Sequence, residues 1–271
     1  MTETERQQII SLVKREVIPA IGCTEPIAVA LCVAKAAEVL NKRPEKVTVL
    51  LSANILKNAM GVGIPGTGMI GLPIAVALGA LIGKSEYQLE VLKDSTPEAV
   101  EAGKRFIDEK RIHISLKNDI EEKLYIEVCC EAGGDKATAI IAGGHTTFIY
   151  VARNSEVLLN KQAVASTEAE GNTLDLSLRK VYDFALTAPL DEIRFILETA
   201  RLNKAAAERS FEGNYGHGLG KILRGTYEHR VMGDSVFSHI LSYTSGACDA
   251  RMAGAMIPVM SNSGSGNQGI S

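Results

Sequence analysis

The sequence predicts an α+β protein: a central, largely antiparallel β-sheet domain with inserted helices, and a helical domain built from both chain ends. Three observations lead there. Five strand-like stretches fall between residues 46 and 159, a run at 26–41 is apolar almost all round, and helical spacing returns beyond residue 178.

Residues 5–18 read as a polar helix and 26–41 as a second, with Ile27, Ala30, Leu31, Ala34, Ala37 and Leu40 among its buried positions. A helix wetted on so little of its surface belongs inside the protein. The strands are KVTVLLS (46–52), RIHISLK (111–117), KLYIEVCCEA (123–132), KATAIIAG (136–143) and TFIYVAR (147–153), with turn signals at 133–135 and 143–144. Between the first two lie a glycine loop, an apolar helix and a helical stretch at 96–109. The uncharged run 59–83 has the length of a membrane span. Gly61, Gly63, Pro65, Gly66, Gly68 and Gly71 give its first half a loop composition, so it reads as a loop feeding a buried helix and no membrane partner is expected. The polar stretch 160–178 marks a boundary. It divides the chain into an N-terminal helical segment (1–44), a central α+β domain (45–160) and a C-terminal helical segment (161–271) that packs with the first. The last segment reads as helices at 178–188 and 189–209, a glycine-rich joint at 213–220 and a long helical run at 231–257.

The 271 residues, 46% hydrophobic and 23% charged, describe an ordinary globular protein. A net charge of -3 offers no footprint for nucleic acid, so small molecules or further copies of the chain are the expected partners. The opening MTETERQQIISLVKREV has no basic region followed by an apolar one, which points to the cytoplasm. Five cysteines (Cys23, Cys32, Cys129, Cys130, Cys248) without CxxC spacing exclude a disulfide framework and make no recognisable zinc or cluster set.

Four motifs carry chemistry. GTGMIG at 66–71 matches the dinucleotide fingerprint only formally, because the nearest predicted strand ends near residue 52; an anion-accepting nest of backbone N–H groups is what remains. In PAIGCTEP (19–26), Thr24 suits a helix cap and Pro26 a first turn. Cys23 would then sit at the helix's positive end, a placement that lowers a thiol pKa. The alternative is a small apolar residue filling space near the cap. His145, in GGHTT beside Thr146, is the histidine placed at a loop where an exposed imidazole could touch a ligand. MSNSGSGNQGIS (260–271) gathers Ser261, Asn262, Ser263, Ser265, Asn267 and Gln268 around glycines, either as a cradle for carboxylate or phosphate with no helix behind it or as a disordered tail. Cys32 reads as core, Cys129 and Cys130 as facing opposite sides of a strand, and Asp249 with Arg251 as a helical ion pair.

GCTEPIAVAL (22–31), LKNAMGVGIPGTGMIGLPIAVALGAL (56–81), EVLKD (90–94), GGHT (143–146), DEIRFIL (191–197) and CDARMAGAMIPVMSNSGSGNQGI (248–270) stand in one order along nearly the whole chain. Together they resemble the L-cysteine desulfidase and iron–sulfur-dependent L-serine dehydratase alpha-chain family (UPF0597-like). The resemblance implies a PLP-independent β-elimination, of L-cysteine to pyruvate, ammonia and sulfide or of L-serine to pyruvate and ammonia. It implies a [4Fe-4S] cluster on three cysteines with one iron open as a Lewis acid, and it matches Cys23 to the cysteine that accepts the α-proton. For substrate contacts the expected residues are Lys57, with the loop amides sharing the charge of a carboxylate, then Asn58, Ser263, Ser265, Asn267 and Gln268, with His145 as a further choice. Family chains continue past the SNSGSGNQG loop and carry their cluster cysteines there. The resemblance therefore implies a C-terminal truncation, metal ligands beyond residue 271 and none in this chain, and a fragment inactive alone that forms a homo-oligomer or pairs with the missing C-terminal part. The alternative is a non-catalytic amino-acid-binding or regulatory subunit that pairs with a separate cluster-bearing chain. Either way, exposed apolar surface is expected on the terminal helices.

Overall fold

A computed structural model describes residues 1–271 except 119, 121, 162–175, 226–232 and 264. The fold class is α+β. Helix α1 (Glu3–Glu16) starts in a capping box between Thr2 and Glu5. It stops two residues short of the expected end, because Val17–Ile21 form strand β1 and pair antiparallel with β8 (Pro258–Asn262), Val17 opposite Asn262. Nothing local announces this pairing, since its two partners lie at opposite ends of the chain. Pro19 is tolerated because a two-stranded sheet has a free edge for a residue without an N–H.

Helix α2 (Thr24–Leu40) is buried along most of its length and lies in one core with the main sheet. That sheet has the order β3-β2-β4-β5-β6-β7, formed by Ile112–Leu116, Lys46–Leu51, Tyr125–Ala132, Asp135–Ala142, Phe148–Arg153 and Glu156–Asn160 respectively. All neighbours are antiparallel except β2 and β3. A parallel pair needs a crossover. Helices α3 (Ala53–Ala59), α4 (Leu72–Leu81) and α5 (Pro97–Asp108) supply it. Alternation along the strands puts Val47, Val49, Leu51, Ile126, Val128 and Cys130 into the core, while Cys129 on the other face is half-buried. The apolar run at 72–81 is thus a core helix, and no helix among the described residues is long and apolar enough to cross a membrane.

The remaining elements are α6 (Leu178–Thr187), α7 (Leu190–Ile193), a 3₁₀ turn (Arg194–Ile196), α8 (Leu197–Glu212), α9 (Leu219–Ile222), α10 (Val236–Met252) and α11 (Gly266–Ile270). The helix expected over 189–209 is therefore broken at the 3₁₀ turn, and the run expected to 257 ends at Met252. Most of the polar boundary stretch expected at 160–178 lies outside the described residues. A second core of Ala206, Ala207, Ala247, Val259 and Ile270 joins α8, α10, β8 and α11. Ion pairs Arg6–Glu192 and Lys180–Glu5 fasten α1 to this part. Helix α2, grouped by sequence with the chain-end helices, instead packs on the sheet, because an all-round apolar helix must be enclosed. The segment 260–271 is a strand and a short helix capped by Ser265; a helix does stand behind the polar loop, contrary to expectation.

Candidate active site

Gly22 follows β1 with φ +79°, and a Cβ there would run into the Pro65 ring, so only glycine makes this turn. The turn delivers Cys23 as the N-cap of α2, by backbone alone, with Thr24 as the first helical residue rather than the cap. The thiol is directed elsewhere: Cys23 Sγ donates to Glu25 Oε2 at 3.0 Å, Thr24 Oγ1 donates to the same oxygen at 3.1 Å, and Asn58 Nδ2 donates to Oε1 at 3.4 Å. The β5–β6 loop adds His145, the last turn of α10 adds Arg251, and β8 next to β1 brings Ser263, Ser265 and Asn267. These residues enclose a cleft of about 290 Å³. A second cleft of about 340 Å³ holds Arg15, Thr146 and Thr147 and shares His145 and Ser263 with the first.

Burial pushes the Cys23 thiol up to about 12, with Glu25 adding to the rise and Arg251 opposing it. The thiolate expected from the helix end is thereby corrected. The group is 5% exposed beside a carboxylate, and the loss of water outweighs the amide dipoles. For Glu25 burial acts upward, but hydrogen bonds from Cys23, its own backbone and Thr24, with the nearby His145, hold the carboxyl below its usual range. Burial also moves His145 down, against the pull of Glu25 and with the push of Arg251. At neutral pH the cleft therefore holds a thiol, a carboxylate, an uncharged imidazole and a guanidinium.

Of the residues expected from sequence, Cys23, Asn58, His145, Ser263, Ser265 and Asn267 line this one cleft. Lys57 is exposed on α3 and does not line it, and Gln268 is exposed on α11, where its backbone N–H completes the Ser265 cap. Ser261 points into the protein, fully buried with an unpaired Oγ. Four amides of the glycine loop are already occupied and are not available to an anion: Gly63 donates to Met252 O, Gly66 to Gly254 O, Ile64 to Met69 O and Gly71 to Val62 O. Asp249 and Arg251 are not an ion pair. The former accepts from the amides of His217 (3.1 Å) and Gly220 (3.3 Å), the latter turns to the cleft. Glu25 and Arg251 are the site residues the sequence reading missed. A lone acid in the first turn, ahead of an uncharged run to residue 34, was the available signal for Glu25; for Arg251 there was none, since its neighbour Asp249 supplied a bland explanation.

A family model described as the serine dehydratase alpha chain matches residues 86–271. The chain belongs to the serine dehydratase alpha-chain family. Several similar proteins carry the name UPF0597 protein. One from Bacteroides fragilis is 83% identical over 271 residues, which is all of this chain and 63% of that protein. Others are from Bacteroides thetaiotaomicron, 80% identical with the same coverage, and Porphyromonas gingivalis, 52% identical over 277 residues, covering all of this chain and 64% of that protein. The chain thus spans less than two thirds of the curated relatives it matches. No solved structure matches it.

The described residues do not fit the [4Fe-4S] cluster that the resemblance implies. Such a cluster takes three or four thiolates around one centre. Here Cys32 Sγ donates to Ile126 O and Ala139 O inside the core, Cys130 is buried in a strand, and Cys23 alone among the cysteines lines the cleft. Among the described residues no three His, Cys, Asp or Glu side chains are grouped to hold a metal.

Proposed function

We propose that the whole protein is a PLP-independent lyase that eliminates the β-substituent of L-cysteine or L-serine, and that this chain supplies the proton-handling half of its site. The observation that carries the reading is the 3.0 Å contact between Cys23 Sγ and Glu25 Oε2 on the wall of a small polar cleft. Because burial keeps Cys23 protonated, it acts as a base only if its proton has somewhere to go. Glu25, 3.0 Å away, is the acceptor, and the transfer is uphill from the resting state because the carboxyl is held low and the thiol high. The S–H proton passes to the carboxylate, the sulfur takes the α-proton of the amino acid, and the C–S or C–O bond breaks as the departing group takes the proton held by Glu25. Cys23 and Glu25 are then as they began. The product is an aminoacrylate, which hydrolyses to pyruvate and ammonia, with sulfide released from cysteine or water from serine. His145, uncharged, would accept a hydrogen bond from the substrate's ammonium. The cluster implied by the resemblance would take its ligands from parts of the family polypeptide that this chain does not span.

Support for a protein partner comes from the alpha-chain description of the family and from apolar side chains left on the C-terminal helices: Leu178 is 87% exposed, Leu190 77% and Val236 78%. The remainder of the family polypeptide, or a separate chain carrying it, is the proposed occupant. The test is pyruvate release from cysteine and serine by the full-length protein, purified anaerobically, against Cys23→Ser. Loss of a base costs about 10²–10⁴ in rate. Unchanged turnover with iron retained would remove Cys23 from the role.

A further inference from the structure

We infer that Arg251 is the anion-recognition residue of the cleft and that its ligand is the carboxylate of a small amino acid. The β-elimination reading is needed for the amine and the leaving group of that ligand; the anion site stands on Arg251 itself.

Arg251 is 5% exposed and lines the cleft. Its Nε donates to the carbonyl of Gly22 at 3.1 Å, and its Nη1 donates to Asn267 Oδ1 at 2.8 Å and meets Met252 Sδ at 3.5 Å. All three partners are neutral. Among the described residues no carboxylate pairs with it, and its Nη2 has no acceptor. A buried guanidinium without a counter-ion is among the costlier arrangements in a protein, and it is retained where a ligand supplies the charge. Both nearby acids are occupied: Asp249 by the amides of His217 and Gly220, Glu25 by Cys23, Thr24 and Asn58.

The space around the group is built for it. A Cβ at position 266 would run into Nε, Cζ and Nη2, so the guanidinium occupies the space that Gly266 leaves and any side chain there would displace it. Among the described residues Nη2 is the nitrogen whose N–H groups are uncommitted, and it is left to donate to a carboxylate in a charge-assisted hydrogen bond. The volume of about 290 Å³ sits at the lower end of ligand pockets, which suits an acid of few carbons. A carboxylate held on Arg251 also lies in the same cleft as Cys23 Sγ, so one contact would position the α-carbon toward the thiol.

Calorimetric titration of the full chain with L-serine, L-serinamide and 3-hydroxypropionate tests the assignment, with R251Q and R251K alongside. L-Serine should bind at least about 100-fold tighter than its amide, because the neutral amide brings no charge to the guanidinium. R251Q should bring serine down to the level of the amide, and R251K should recover part as a point charge. Equal binding of serine and serinamide by the unaltered chain, or no binding of either acid, overturns the inference. So does discrimination that survives in R251Q. If 3-hydroxypropionate binds through Arg251 as well as serine does, the anion site stands and the amino-acid reading fails. Should R251Q not fold, the ¹⁵N side-chain resonances of Arg251 in the unaltered protein decide: moved by serine but not by serinamide they support the site, unmoved by both they overturn it.

Discussion

Cys23 and Glu25 are coupled, and the coupling makes opposite demands on labelling and on turnover. Glu25 raises the thiol by its charge and by the hydrogen bond it accepts, so Glu25→Gln should lower it. Each unit of fall multiplies the thiolate fraction about tenfold. Iodoacetamide labelling of Cys23 at pH 8 is therefore expected to speed up in Glu25→Gln while pyruvate release by the full-length protein falls by about 10²–10⁴, as for a lost proton acceptor. Labelling and turnover moving together would show that Glu25 only tunes the thiol. The same thiol gives an alkaline signature. Its value rises from 9.0 to about 12 on folding, so the stability tied to the neutral form is complete below about pH 9 and is lost as pH climbs toward 12. Cys23→Ser should remove that share of the alkaline loss in urea titrations, leaving the share that buried Cys32 and Cys130 contribute. At this scale the GCTEP stretch already marked the right position in the chain. The thiol's protonation was not legible there, because a local sequence carries the helix dipole but not the amount of water the rest of the fold removes.

Helix packing around α2 depends on one missing side chain. Gly79 of α4 faces α2 so closely that a Cβ would stand 2.6 Å from the carbonyl oxygen of Ala30. The atoms at risk, the O, Cα and C of Ala30, are all backbone, so relief requires the helices to move apart. Gly79→Ala is expected to destabilise by about 1–3 kcal/mol, read as a lower urea midpoint with unchanged slope. An unchanged midpoint would mean that the two helices do not meet so closely. The strands of the main sheet were legible because each is a short run of β-branched and apolar residues that alternates with the pleat. Strands β1 and β8 were not. Val17–Ile21 continues the polar helix before it without a turn signal, and Pro258–Asn262 leads into a segment that looks like a tail; only their mutual pairing makes either a strand.

The molecule as a whole leaves an apolar face on its C-terminal helices, where Leu178, Leu186, Leu190, Val236 and Phe237 are each more than half exposed. Such a face promotes association. Replacing Leu178 and Val236 together by Glu should leave the unfolding free energy within about 1 kcal/mol, two surface changes of about 0.5 each, while reducing light scattering by the isolated chain. A large loss of stability would instead place these side chains in an interior. By itself the sequence determined the α+β class, the central strands, the buried helix and the family, because all of these are written in residues close together in the chain. Which residues share a cleft was decided only by tertiary structure. Cys23 and Glu25 meet Arg251 and Asn267 because β1 pairs with β8 and α10 ends beside Gly22, contacts across more than two hundred residues that no local pattern encodes, and they meet His145 because α2 packs on the sheet that carries the β5–β6 loop. The ionisation of the site was decided there too, since the cost of charge in a protein is set by the water the whole fold excludes.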